Sequence, residues 1–264
     1  NYFIRDEEPM PVVGMTYMQS DFHRKFIYMP NIYLWNSDIK QMKDAGINMI
    51  RTGIWTGHRT IMFNDGLPDE KILRAIDAFI MTAKKYDIPI IFSFFAFSPP
   101  LWEGENPYLD PVSLAAQKRF IKSITDRHRE SKGVIWDLIN EPSVSNPERL
   151  WQTRPNYDQY ELNEWRKWLQ EKYKIIDQLQ QAWNCTPEYA SSFSDIPLPS
   201  VADFNDQPDY SEGVEGLKVH DYYLFAQHVF NKWAEEMVET IKSSSGSQLI
   251  TVGQDESLHS RRPS

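Results

Sequence analysis

The amino-acid sequence predicts an α/β protein of the (β/α)₈ TIM-barrel class, with about the first five strands of the barrel in residues 1–264. Three observations predict it. Short Val-, Ile- and Phe-rich segments alternate with longer segments of helical apolar spacing, the pattern of a parallel sheet buried on both faces. No GxGxxG or GxxxxGK loop follows any strand, which argues against a doubly wound nucleotide-binding sheet. The fourth strand runs directly into Asn140-Glu141, placing a polar pair where barrels of this class carry their chemistry.

The elements follow in order. The segment VVGMTYM at 12–18 reads as a short buried strand. Asn36 or Ser37 can cap a helix that runs through Lys43, and Gly46 supplies its stop. INMIRTGI at 47–54 is a second strand. Residues 69–86 form a helix by the spacing of Ile72, Leu73, Ile76, Ile80 and Ala83. Residues 88–97 are a third strand, apolar nearly throughout but for Pro89 and Ser93. Residues 112–129 are helical, with Leu114, Phe120, Ile121 and Ile124 on one face, and VIWDLI at 134–139 is the fourth strand. The rhythm then breaks. A polar loop holding Trp151 leads to a single helix over 161–183. A Pro/Ser/Asp-rich stretch, 187–216, reads as a long loop inserted within one barrel domain. A second amphipathic helix covers 219–243, and a fifth strand, 248–252, ends in Gln254-Asp255-Glu256. A closed barrel of this class has eight strands, so the chain is expected to be the N-terminal part of a longer barrel.

Composition narrows the function. With 28 basic and 37 acidic residues the net charge is −9, which disfavours a nucleic-acid partner. No apolar run reaches the roughly 18 residues that span a bilayer, so no membrane partner is expected. Cys185 is the sole cysteine and has no intrachain partner for a disulfide. A start on Asn1 points to a processed chain or an excised piece, with a periplasmic or secreted location favoured over the cytoplasm. Aromatics are abundant, with 9 Trp and 13 Tyr. Aromatic faces pack on the apolar faces of sugars, although a large aromatic core reads equally well from the number alone.

The strand ends collect the candidate site. They offer Tyr17 after the first strand, Arg51 with Trp55 and His58 after the second, and Phe97 with Trp102 after the third. The fourth offers Asn140 and Glu141, and the fifth Asp255 and Glu256. A carboxylic acid held in an aromatic cleft keeps its proton near neutral pH and serves as a general acid. Arg51 can hold a neighbouring carboxylate ionised, and Asn140 can bond a sugar hydroxyl without adding charge. One protonated and one ionised carboxylate is the machinery of glycoside cleavage.

These residues carry a resemblance. Asn140-Glu141-Pro142 after a hydrophobic strand resembles the acid/base signature of clan A glycoside hydrolases, which are retaining barrel enzymes. DIKQMKDAGINMIR at 38–51 resembles the first helix and second strand of that clan. Pro99-Pro100-Leu101-Trp102, and residues 163–183 with SFSDIP at 192–197, are similar to segments of the family 42 β-galactosidases. YFIRDEEPMPVVGMTY at 2–17 resembles the approach to barrels that follow an upstream β-domain. The resemblance implies a glycosidase that acts on an oligosaccharide or polysaccharide and needs no cofactor. It makes Glu141 the acid/base, Asn140 a hydroxyl ligand and Arg51 the partner of a nucleophilic Glu. That nucleophile is expected at the end of a seventh strand, beyond the five read here.

Each assignment has a plainer counterpart. Glu141 can be a capping or ion-paired carboxylate, and Arg51 a structural ion-pair residue. Trp55 and Trp102 are packing residues or sugar platforms. Tyr17, His58 and Phe97 suit packing or the rim better than chemistry. Glu256 is a weak alternative nucleophile, only one βα unit beyond Glu141. Trp165, Trp168 and Trp183 follow helical spacing and belong to a core. The six histidines form no HxH or HExxH pattern, so no metal is expected. No Gly-x-Ser-x-Gly elbow supports an esterase. Two further readings share these residues: a non-catalytic carbohydrate-binding barrel, which the missing nucleophile favours, and a transglycosylase.

Overall fold

Every strand of the main sheet pairs with the next strand in the chain. The computed structural model, which describes residues 3–5, 7–144, 154–204, 213–245 and 247–253, contains two compact units. The first takes Asn1–Ala96, Ala115–Glu141 and Met237–Gly253; the second takes Phe97–Leu114, Pro142–Glu236 and Gln254–Ser264.

The first unit opens with a two-stranded antiparallel ribbon, β1 (Phe3–Arg5) and β2 (Glu8–Met10), which the sequence did not signal. The five-stranded sheet follows: β3 (Gly14–Thr16), β4 (Met49–Gly53), β5 (Ile90–Ala96), β6 (Val134–Asn140) and β7 (Ile250–Gly253). All four pairings are parallel, in the order β3-β4-β5-β6-β7. Sequential order is that of a barrel wall, whereas a doubly wound sheet reverses its order at a switch point. The chain is thus an α/β fold that supplies part of such a barrel.

The first strand is shorter than the predicted 12–18. Val12 and Val13 stand exposed, and the Asn48 side chain adds to the backbone bond from its own amide to the Val13 carbonyl. Asn48 Oδ1 accepts from the Val13 amide at 2.8 Å and Nδ2 donates to the Pro11 carbonyl at 2.7 Å. The interior strands β5 and β6 are buried along almost their whole length, as their continuous apolar sequences require.

Three helices of this unit carry the outer layer. In α1 (Ile32–Asp44) the cap is Asn31, whose side chain accepts from the Leu34 amide. The helix therefore starts before the predicted Asn36 or Ser37. Asn36 instead accepts from Lys85 Nζ at 2.7 Å and from the Tyr86 hydroxyl at 2.9 Å. A single turn, α2 (His58–Ile61), precedes α3 (Glu70–Lys85), which Asp69 caps and which buries the stripe Ile72, Ala75, Ile76, Phe79, Ile80 and Ala83. Edge-to-face and tilted contacts join Tyr17, Phe26, Trp35 and Phe79 at centroid distances of 5.3–5.9 Å.

Two long helices, α4 (Pro111–Arg127) and α7 (Gly213–Ser245), contribute residues to both units. The second unit adds α5 (Gln159–Tyr173) and α6 (Ile176–Trp183). The sequence predicts one helix over 161–183. The break falls at Lys174, whose φ of 64° no continuing α-helix accommodates. Trp165 stacks on both Trp168 and Trp183, at 5.7 and 6.3 Å, in the core that the helical spacing predicts. Buried Asp221 of α7 ties the helices together by accepting from Lys172, Tyr173 and Trp183 Nε1 at 2.5, 2.6 and 2.9 Å. The predicted loop 187–216 holds two 3₁₀ turns, Phe193–Asp195 and Val201–Asp203, and α7 begins within it. Trp151 lies outside the described residues. Among those described, no helix is long and apolar enough to cross a membrane.

Candidate active site

Two polar residues interrupt otherwise apolar strands, and both converge on one point. Ser93 sits in the IIFSFFA run of β5 and Asp137 in the VIWDLIN run of β6, and they are register partners. The Asp137 side chain is fully buried. A buried carboxylate must be paired and hydrogen-bonded to be tolerated. Its Oδ2 accepts from Ser93 Oγ at 2.5 Å and from Arg51 Nη2 and Nε at 2.5 and 3.2 Å. Its Oδ1 accepts from the Gly253 amide of β7 at 2.9 Å. One carboxylate therefore links β4, β5, β6 and β7.

Arg51 reaches over β5 to make this pair, and its third nitrogen continues the chain. Nη1 donates to Asn140 Oδ1 at 2.7 Å. That bond fixes the amide, leaving Asn140 Nδ2 as the donor on its other side. The guanidinium carbon also lies 5.6 Å from the centroid of the Trp55 ring, within cation–π range. Gly253 makes room for this arrangement, because a Cβ there would collide with Arg51 Nη2.

Glu141 follows at the end of β6. Its φ of 50° lies in the left-handed region, which costs a non-glycine residue about 1–2 kcal/mol. The Glu141 amide donates to the Gly253 carbonyl at 2.7 Å, so β7 holds the turned backbone in place. Glu141 itself is half-buried. Among the described residues its carboxyl has no hydrogen-bond or ion-pair partner, so no lysine or arginine occupies it.

The other predicted site residues fall in different surroundings. Tyr17 is buried against Phe26 and Phe79, and its hydroxyl donates to Asp38 of α1 at 2.8 Å. Burial and that carboxylate raise its pKa strongly. His58 packs on Phe95 and Phe120 with Nε2 on the Phe94 carbonyl at 3.0 Å, and burial lowers its pKa to about 4. Both rings pack against neighbouring aromatics. Trp55 is buried, and its Nε1 finds no partner among the described residues. Phe97 and Trp102 belong to the second unit. Phe97 has a φ of 65°, and its carbonyl accepts from the Ser143 amide. The Trp102 amide donates to Ser113 Oγ, which in turn bonds Asp110.

Arg51, expected to partner a nucleophilic Glu of a later strand, holds Asp137 and Asn140 in the described residues. Asp137, Ser93 and Gly253 were missed by sequence reading. The signal for the first two was their polarity inside apolar strands. Asp255 and Glu256 lie outside the described residues. Among the described residues, no group of three His, Cys, Asp or Glu side chains could hold a metal ion.

The model of the family Cellulase (glycosyl hydrolase family 5) matches residues 6–260. Two curated relatives are similar over shorter stretches. The β-galactosidase BbgII of Bifidobacterium bifidum is 25% identical over 192 residues, 63% of this chain and 26% of that protein. The β-galactosidase YesZ of Bacillus licheniformis is 23% identical over 238 residues, 80% of this chain and 33% of that protein. The chain thus spans a third or less of these relatives' length. The crystal structure of a β-galactosidase from the psychrophilic Marinomonas ef1 superposes with a TM-score of 0.64 at 16% identity, over 90% of this chain and 36% of that one. At that identity the likeness shows the shared barrel fold.

Proposed function

From a chain that belongs to the cellulase family, glycosyl hydrolase family 5, we propose a retaining glycoside hydrolase whose acid/base is Glu141. The matching family model is that of family 5, and the family 42 that residues 99–102 and 163–183 resemble belongs to the same clan. The observation that carries the reading is the end of β6. There a half-buried carboxyl without an ionic partner among the described residues stands beside Asn140, whose amide Arg51 orients.

In this reading Glu141 protonates the glycosidic oxygen as that bond breaks. The carboxylate of a second Glu, on a later strand of the whole protein, attacks the anomeric carbon and forms a glycosyl ester. Glu141, now ionised, takes a proton from the incoming water, which releases the sugar with retained configuration. The two carboxyl groups then lie about 5–5.5 Å apart. Asn140 Nδ2 is the donor to a sugar hydroxyl beside the scissile bond, and Trp55, beside the Arg51 guanidinium, is the aromatic surface of the same unit. The names of the relatives make β-galactosides the first substrates to try.

The test is turnover of a panel of aryl glycosides by full-length protein, β-galactosides included, with Glu141→Gln beside it. The expected loss is at least about a hundredfold, the scale of general acid–base catalysis. Unchanged turnover in the variant would remove Glu141 from the reaction. Tight binding of oligosaccharide without any turnover would make the barrel a binding module.

A further inference from the structure

We infer that Asp137 is a positioning residue that sets both Asn140 and Glu141 in place, an inference that rests on Glu141 being the acid/base. The argument is one of connectivity. Asp137 has two carboxylate oxygens, and the network divides them. Oδ2 holds the Arg51 guanidinium through two nitrogens, and the remaining nitrogen of that guanidinium holds Asn140. Oδ1 holds the Gly253 amide, and the Gly253 carbonyl holds the Glu141 amide. Each oxygen is thus one residue removed from one of the two site residues.

The sheet explains why a side chain is needed for this. Between β6 and β7 the register shifts, with Asp137 opposite Thr251 but Asn140 opposite Gly253. A register shift leaves a ladder group without its ordinary partner. Here the free amide is that of Gly253, and the Asp137 carboxylate takes it. The shift also lets Asn140 and Glu141 turn over the strand end, with Glu141 at a positive φ that relaxes unless its surroundings hold it. Asp137 supplies the hold from below. Ser93 fixes Asp137 in turn, and Gly253 cannot carry a side chain without displacing Arg51. Asp137 itself is fully buried and acts through the groups it holds.

Leaving-group dependence separates positioning from mere stability. A dinitrophenolate leaves without a proton, whereas an alkyl alcohol or a sugar requires one from the general acid. Full-length Asp137→Asn is expected to lose about tenfold to a hundredfold in kcat/KM, which reports the step that expels the leaving group, on substrates with poor leaving groups, the scale on which small misplacements act. It is expected to lose far less on the dinitrophenyl glycoside. Ser93→Ala, which loosens the same carboxylate with a smaller perturbation, is expected to show the same selectivity at lower amplitude. Glu141→Gln is run alongside. If Glu141→Gln shows the selective loss but Asp137→Asn and Ser93→Ala lose equally on both substrates, or not at all, the positioning role is overturned. Should Asp137→Asn fail to fold, an unselective Ser93→Ala result overturns it. If Glu141→Gln shows no selectivity either, the acid/base reading has failed instead.

Discussion

Glu161 is buried beneath the start of α5, and its carboxyl is pushed up to about 7. Burial is the main cause. It outweighs the donors on the carboxylate, namely the Tyr222 hydroxyl at 2.6 Å and the amides of Asn156 and Tyr157 at 2.6 and 3.1 Å. A raised pKa means that the folded state holds a proton the unfolded chain releases. The stability this brings is fully present below pH 4.5 and is lost as pH rises through about 7. Relative to Glu161→Gln, the protein is expected to lose about 3 kcal/mol across that window. Melting temperatures of the two proteins at pH 4.5 and pH 8 check this; parallel pH profiles would contradict it. Legibility in the sequence differed among such residues. Glu141 was readable because three adjacent residues and a strand end marked it. Asp137 was readable only as an anomaly, one charge within seven otherwise apolar or amide residues. Gly253 was not readable, since its role depends on an arginine about two hundred residues earlier in the chain.

Helix starts reward short polar side chains, and α5 shows how much one of them can carry. Asp158 Oδ1 caps the helix by accepting from the Glu161 amide at 2.7 Å. Its Oδ2 accepts from the amides of Glu105 and Asn106 at 2.8 and 3.1 Å. Asp158→Ala removes a cap and leaves two loop amides unbonded. The expected cost is about 2–3 kcal/mol, above the ~1 kcal/mol of an ordinary cap. Denaturant unfolding measures it, and a cost below about 1 kcal/mol would mean that solvent replaces all three bonds. Element type was legible wherever periodicity ran long, as in α3 and β5. Boundaries were not, for local reasons. Asn31 and Asn36 are chemically alike, and only packing decides that one caps α1 while the other receives Lys85 and Tyr86. The break at Lys174 has no Gly or Pro to announce it, and apolar spacing continues through it to Trp183.

Across the molecule, the interior strands β5 and β6 are sealed on both faces. Amide hydrogen exchange in full-length protein is therefore expected to be far slower in both than in the 3₁₀ turn Phe193–Asp195, which has no buried residue. Equal protection in that turn and in β5 would contradict this. The barrel class was legible because it rests on alternation and strand composition, which are local properties. The ribbon β1–β2 was not, because three-residue strands carry too little pattern. Strict neighbour pairing has a kinetic side as well. From β4 to β7, each strand leaves the ribosome with its sheet partner already made, so these pairings can keep pace with synthesis. The connection from β6 to β7 is the longest of the four, and it closes the pairing on which Gly253 and Glu141 depend. The proposed acid/base is thus set in its final geometry only when the fifth strand docks.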